Sequence, residues 1–564
     1  MKQNSNDNAA NRSSFVGAVH TYGERAKKEE ILESLNPTWR KMHTDGYIHI
    51  HDLDAYDLTY NCLTFDLARN FPKEQFEGLT AQRKIIRLFD FIKLLFEVVG
   101  NEQSGGMAFP NFDDDIVSIL SEVGVEDSTD VRSLIRDCVS DLILWCNENH
   151  TRMGKTSYYV TLNIGLASSN LARFVAESVI DEFAASGDLV YKPNIVFKVC
   201  RRINGPGTQN HYLLEKALDC TAKKMIPTYL LCDCVSDKDV DPYRLSVMGC
   251  RTRVVDDLYG PRGAIGRGNI DNISINLPRL AFETAEQNPG SSNEEKINRF
   301  LERWDSIASI VKDILIDRFK KVCSLSASDF PINSKYMLWC ESFSESENLF
   351  QVFRHGTLSI GFIGLSETME ILTGKKFWKD SDVYRLAEKI LDHMRRYTDS
   401  LTKEYHLNFS LLATSGELIS GRFPEIDSRF FNSPLIEKGF YTNSFHIDVD
   451  SDLPAYRKIQ LEGPFHRYTN GGSITYVELG EAPLGNAEGL EELVDIAVQS
   501  GVHYLGFNYP KDVCNDCGTA GTFDSCPLCG SKNITRIRRV SGYLEIEDGF
   551  TSGKKKEAES RRRN

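Results

Sequence analysis

Apolar residues recur at helical spacing through much of the chain. Ile85, Leu88, Phe89, Ile92, Leu95 and Phe96 fall on one face of a helix predicted over residues 80–99. The same period predicts helices over Lys27–Arg40, Val131–Asn149, Ser168–Ala185, His211–Lys224, Arg299–Cys323, Val383–His406 and Ala487–Ser500. Between them lie short alternating or continuously apolar runs, predicted as strands: Tyr158–Ile164, Asn194–Val199, Thr228–Cys232, Ile474–Leu479 and Val502–Phe507. Strand and helix alternate over a long distance with no internal repeat, which predicts an α/β architecture. One further strand is predicted within Gly46–Asp54, where Tyr47, His49 and His51 alternate with apolar residues and so share a polar face. The two histidines are either metal ligands or residues lining a site.

Composition narrows the class. The chain has 564 residues, 41% of them hydrophobic, and a net charge of −14. A broadly nucleic-acid-coated surface, and with it stable nucleic-acid binding, is disfavoured. No run of 18 residues lacks charge, so a membrane span is not expected. Met1–Ser14 is rich in Asn and Ser, lacks an apolar segment, and is expected to be disordered rather than a signal peptide. A soluble cytoplasmic protein is expected. The basic run at the end, Lys554–Lys556 and Arg561–Arg563, predicts a solvated, disordered tail over 551–564. Fourteen cysteines in a chain this long do not make a disulfide scaffold.

Four of those cysteines carry a specific signal. Cys514/Cys517 and Cys526/Cys529 form two CxxC pairs, and four clustered thiolates suit tetrahedral zinc in a closed, structural site. Elsewhere the signals are weaker. Met248-Gly249-Cys250-Arg251 precedes a span with Gly260, Gly263, Gly266 and Gly268; Cys250 is either a nucleophile or a structural loop cysteine. These glycines do not form a phosphate loop of the G-x-x-x-x-G-K-[ST] kind. His355-Gly356-Thr357-Leu358-Ser359 opens a run of small residues suited to close approach of a ligand, or to a plain strand-to-helix turn. Tyr476 and Glu481 lie on or just beyond the strand at 474–479. Val540-Ser541-Gly542-Tyr543-Leu544 follows the zinc pairs; alone, Gly542 reads as a turn glycine.

Taken in order, these pieces resemble the anaerobic (class III) ribonucleoside-triphosphate reductases, a glycyl-radical enzyme family. The resemblance runs over about 15–550 and rests on Tyr47–Asp54 with Asn61-Cys62, Met248–Arg251, Gly266–Asn269 with Ile275–Arg279, Arg354–Gly364, Tyr441–His446, Tyr476–Glu481, the four cysteines, and Arg539–Leu544. It implies a ten-stranded α/β barrel over 15–508, made of two antiparallel five-stranded halves around a central finger loop. A small zinc-binding glycyl-radical domain over 509–550 would follow. An ATP-cone of the usual kind is not expected.

The resemblance also implies roles. Gly542 would store a radical installed by an S-adenosylmethionine activase with a 4Fe–4S cluster. Cys250 would become the thiyl, Cys62 would face the other side of the ribose, and Asn269 would bind its hydroxyls, with Asn276 as the fallback. Met248, Tyr476 and Glu481 match the formate-using subgroup, so formate is the expected reductant and a redoxin the alternative. His49, His51, His355, Gly356, Thr357 and Ser359 would line the substrate. A homodimer regulated by dNTP or ATP effectors is implied. Another glycyl-radical enzyme, or a non-catalytic zinc-knuckle protein, are the rival readings; the second leaves Met248–Arg253 and Val540–Leu544 without a role.

Overall fold

The computed structural model describes residues 15–69, 71–148, 159–249, 251–343 and 348–561. Met1–Ser14, Cys250 and 562–564 lie outside the described residues.

Ten strands form a ring. The first half is β2 (Cys62–Thr64), β3 (Met107–Phe109), β4 (Val160–Ile164), β5 (Asn194–Val199) and β6 (Thr228–Leu231), each parallel to the next. The second half is β7 (Arg267–Asn276), β8 (Thr357–Ile363), β9 (Asn408–Ala413), β10 (Thr475–Glu478) and β11 (Tyr504–Asn508). The halves meet antiparallel at β2/β7 and at β6/β11. Between β9 and β10 the ring closes through a parallel bridge, Leu412 to Gly472, with Ala413 N–H donating to Gly472 O at 3.0 Å. An eleventh short strand, β1 (Ile48–Ile50), continues the position of β2 along β7. Closure leaves the barrel without an open sheet edge.

The helices wrap the outside because the strands turn their aliphatic faces outward. Ile273, Ile275, Leu358, Ile360, Phe362, Phe409 and Leu411 share one core with Trp304, Val311, Ile314 and Met394 of the helices Asn293–Cys323 and Ser381–Tyr405. The inner face of the second half is polar instead. A bulge in β7 between Asn269 and Asp271 separates the two faces. Asn269 turns inward to Thr357 and Ser359, while Asp271 meets Arg318 of the outer helix at 2.6 Å. Without the extra residue both side chains would share a face.

The C-terminal unit is a four-stranded antiparallel sheet of β12 (Lys511–Cys514), β13 (Ala520–Gly521), β14 (Ile534–Arg539) and β15 (Leu544–Ile546). The disordered tail expected over 551–564 is not what the described part shows. Ser552–Ser560 is a helix whose Gly553, Lys554 and Glu557 are buried. Its charges have partners inside the fold, which composition alone does not reveal. The helix expected at Lys27–Arg40 is likewise two helices, Phe15–Ser34 and Pro37–Thr44, broken where Asn36 caps the second and Pro37 opens it.

Candidate active site

Two loops converge inside the barrel. The first contains Cys250, itself outside the described residues. Its flanks are drawn together as Met248 N–H donates to Thr252 O at 2.9 Å. Arg253 anchors the base through a buried ion pair with Asp237, and a contact to His503 Nδ1 at 3.2 Å. Burial alone would raise the Asp237 pKa, but the Arg253 charge wins and holds it at about 2. The loop passes close under the β9–β10 closure, where Arg253 N–H donates to Gly471 O at 3.0 Å. Gly472 has φ of +125°, and a Cβ there would stand 2.0 Å from Arg251 O. Only glycine fits both the backbone and the approach.

The second loop carries Gly542. Arg251, the residue after Cys250, donates to the carbonyl of Ser541, the residue before Gly542. Tyr543, on the other side of the glycine, stacks on Tyr159 with ring centroids 4.1 Å apart and 12° between planes. Its hydroxyl lies 2.8 Å from where a Cβ on Gly249 would be. The residues flanking Cys250 therefore touch those flanking Gly542 on both sides.

Cys62 lies on β2 directly opposite Asn269 of β7. It is buried with Ala108, Met248 and Val254. Its thiol donates to Asn61 Oδ1 at 2.7 Å and accepts from Gly106 N–H at 3.3 Å. Gly105 must be glycine here, because a Cβ would fall 2.6 Å from the sulfur. The Asn269 amide donates to the hydroxyls of Thr357 and Ser359, each at 2.9 Å, and Ser359 meets Ser410 at 2.9 Å. Asn269 Oδ1 is buried without a hydrogen-bond partner among the described residues. A buried acceptor left open costs about 1–3 kcal/mol, and a ligand hydroxyl would satisfy it.

The other expected site residues divide. His51 faces inward, with Nε2 2.9 Å from Ser274 Oγ, and packs edge-on against buried His49 at 4.6 Å. Burial first, and neighbouring positive groups, hold His49 well below its ordinary pKa; burial lowers His51 to about 4. Both rings are held neutral near pH 7, and neither belongs to a metal-capable cluster found among the described residues. Asn276 is committed to structure. It caps the helix Leu277–Gln287 and donates to Gly46 O and Asp427 Oδ2, each at 2.9 Å, so its amide is engaged within the fold. Gly356 makes room for Ile270, whose side chain would lie 2.6 Å from a Cβ. Tyr476 is buried on β10 and stacks on His446 at 5.8 Å. Glu481 is exposed beyond the end of β10. Glu478, still on β10, is tied to the chain before Gly542 through Arg561, which donates to it at 2.5 Å and also to the carbonyls of Arg539 and Val540; Asn508 Nδ2 donates to the same carboxylate at 3.0 Å.

His355 pairs with Asp257 at 2.7 Å. Burial lowers its pKa, but Asp257 and Cys340 outweigh that and raise it from 6.5 to about 9. A raised value means the pairing stabilises the fold fully below about pH 6.5 and fades as pH climbs through about 9. The urea midpoint is therefore expected to fall between pH 7 and 10, and to fall less in His355→Gln. Parallel pH profiles for the two proteins would contradict this.

The four cysteines close on one point. Their sulfurs all lie within 4.8 Å of one another, with Cys514–Cys529 at 3.6 Å and Cys517–Cys526 at 3.5 Å. Tetrahedral zinc with bonds of about 2.3 Å sets sulfurs about 3.8 Å apart, so the set fits the ion. Each CxxC is followed by a glycine in the left-handed region, Gly518 at +77° and Gly530 at +73°. Gly518 N–H donates to Cys514 O and Gly530 N–H to Cys526 O, both at 2.9 Å. The two halves of the site are thus matching turns, tied to the glycine loop through β14.

A closed ten-stranded barrel, with a cysteine-bearing loop and a glycine-bearing loop meeting inside it, defines the architecture of a glycyl-radical enzyme. The chain belongs to the anaerobic ribonucleoside-triphosphate reductase family, whose model matches residues 6–563. It is 30% identical over 570 residues to the anaerobic ribonucleoside-triphosphate reductase of Haemophilus influenzae, covering 92% of this chain and 77% of the relative. It is 26% identical over 580 residues to that of Enterobacteria phage T4, covering 94% and 92%. The anaerobic ribonucleotide reductase from Thermotoga maritima in complex with dATP and CTP superposes with a TM-score of 0.67 at 15% identity, over 96% of this chain and 90% of that one.

Proposed function

We propose that this chain reduces ribonucleoside triphosphates to 2′-deoxyribonucleoside triphosphates for DNA synthesis without oxygen. The observation that carries the reading is the pair of contacts across the two loops, Arg251 on the Ser541 carbonyl and the Tyr543 hydroxyl against Gly249, which brings the neighbours of Cys250 and Gly542 together. An activase with a 4Fe–4S cluster and S-adenosylmethionine removes an α-hydrogen from Gly542. The glycyl radical then takes the hydrogen of the Cys250 thiol, and the thiyl takes the 3′-hydrogen of the ribose. Asn269 Oδ1 accepts from a ribose hydroxyl. Cys62, on the strand opposite, gives a proton to the 2′-hydroxyl, which leaves as water. Neutral His49 and His51, with the hydroxyls of Thr357 and Ser359, make a polar, water-poor wall for the sugar. Zinc held by Cys514, Cys517, Cys526 and Cys529 would fix the mount of the glycine loop.

Formate is the proposed reductant. Its oxidation to carbon dioxide supplies the two electrons, and with one proton the oxygen leaves as water. Support comes from the surroundings of Cys62: the buried sulfur packed with it belongs to Met248, and a thioether cannot close a disulfide of the kind a redoxin reduces. Tyr476, buried beside the glycine loop, would orient the reductant; exposed Glu481 is poorly placed to help. Purified, activated protein is expected to turn over only when formate is added. Turnover sustained by a redoxin alone would replace this reading with the redoxin-dependent one. The dATP and CTP in the Thermotoga maritima complex support a nucleotide substrate and a dNTP or ATP effector here; assembly as a homodimer is part of the same proposal. A cytoplasmic place of work is part of the proposal; no helix among the described residues is long and apolar enough to cross a membrane.

A further inference from the structure

The C-terminal helix Ser552–Ser560 is built into the fold on both sides of the glycine loop. It crosses the helix Ile419–Asp427 at Gly553 and Gly421, so closely that a Cβ on Gly553 would stand 2.5 Å from Gly421 Cα. On the barrel side, buried Glu557 accepts from Asn443 Nδ2 at 3.0 Å. On the side of the glycine domain, buried Lys554 donates to Glu545 at 2.9 Å. Arg561, just past the helix, joins the two. Its guanidinium donates to Glu478 of barrel strand β10 at 2.5 Å and to Glu557 at 3.0 Å. It also donates to the carbonyl of Arg539 at 3.0 Å and to that of Val540.

We propose that Arg561 is a positioning residue for radical transfer, pinning the chain just before Gly542 to the barrel wall. A planar guanidinium with five donors can hold two carboxylates and two successive carbonyls at once; an ammonium cannot. Together with Arg251 on Ser541 O, it fixes three consecutive carbonyls, those of residues 539, 540 and 541. The α-carbon of Gly542 is thereby held in its place beside the Cys250 loop. For the activase to reach that carbon the loop must move, and these bonds must open. Arg561 therefore favours transfer and opposes installation.

This inference rests on Gly542 being the radical site. The test compares unaltered full-length protein with Arg561→Ala and Arg561→Lys under limiting activase. Radical per polypeptide is read by EPR, and turnover is expressed per radical. Arg561→Ala is expected to acquire the radical at least as fast as the unaltered protein, with turnover per radical reduced 10-fold or more. Arg561→Lys, which keeps the charge beside Glu478 and Glu557, is expected to fall between them. Should Arg561→Ala fail to fold, judged by lost zinc, Arg561→Lys still decides the matter. Unchanged turnover per radical, or installation and turnover falling in the same proportion in Arg561→Lys, would overturn the proposal. A failure of the underlying reading looks different: unaltered protein would then show no glycyl signal at all.

Discussion

Cys62→Ala is expected to abolish turnover, by about three orders of magnitude or more, while leaving the glycyl radical intact. The thiol sits on β2 across from Asn269, and in the proposed reaction a ribose held by Asn269 would present one face to Cys62 and the other to the thiyl loop. Removing the sulfur removes the proton donor for the departing 2′-hydroxyl. Storage and transfer of the radical use other groups. Packing around the site should tolerate the change, because Ala108, Met248 and Val254 already surround Cys62 with apolar atoms. The measurement is EPR spin per polypeptide beside product formed per spin. A variant that turns over within 10-fold of the unaltered protein would show that Cys62 is not the group opposite the thiyl.

The second large effect concerns the metal. Cys526→Ser, or stripping with a chelator, is expected to abolish the radical signal while the barrel remains folded. Beyond the short sheet β12–β15, residues 515–533 are held by short polar contacts such as Asn515 with Asn533 and Ser531 with Asp516, mostly at exposed positions. Structural zinc contributes on the order of 10 kcal/mol in small zinc-tied units. Without the ion, four thiols within 4.8 Å of one another have nothing to draw them together. Slack there passes along β14 directly to Arg539 and the glycine loop. Zinc content, far-UV circular dichroism and EPR, read on the same sample, separate the effects. A full radical signal in zinc-free protein would show that the mount is not needed.

Much of this was legible from sequence, for physical reasons. The outer helices announce themselves because each buries one stripe against the barrel, as Ile85, Leu88, Ile92 and Leu95 do. The cysteine pairs are equally plain, since thiolates at that spacing have few other uses. The barrel's own strands are harder. Cys62–Thr64 and Met107–Phe109 are three residues each, too short to show a period. The inner face of the second half is polar, so a residue such as Ser410 looks like a surface position until closure places it inside. Sequence puts Asn269 ahead of Asn276 only by alignment; the bulge that turns Asn269 inward and the helix cap made by Asn276 are features that sequence does not display. Glu478 and Glu481 are three residues apart, and only the end of β10 tells which is buried and which is exposed. The tail is the clearest miss. Lys554, Glu557 and Arg561 read as solvated charge because their partners, Glu545, Asn443 and Glu478, are brought to them by the fold.

The central claim is that Gly542 stores the radical that works through Cys250. Anaerobic activation with S-adenosylmethionine, a reductant and the activase, followed by EPR, tests it most directly. The account predicts a doublet from the single α-hydrogen in the unaltered protein and its absence in Gly542→Ala. A doublet of equal intensity in Gly542→Ala would contradict it.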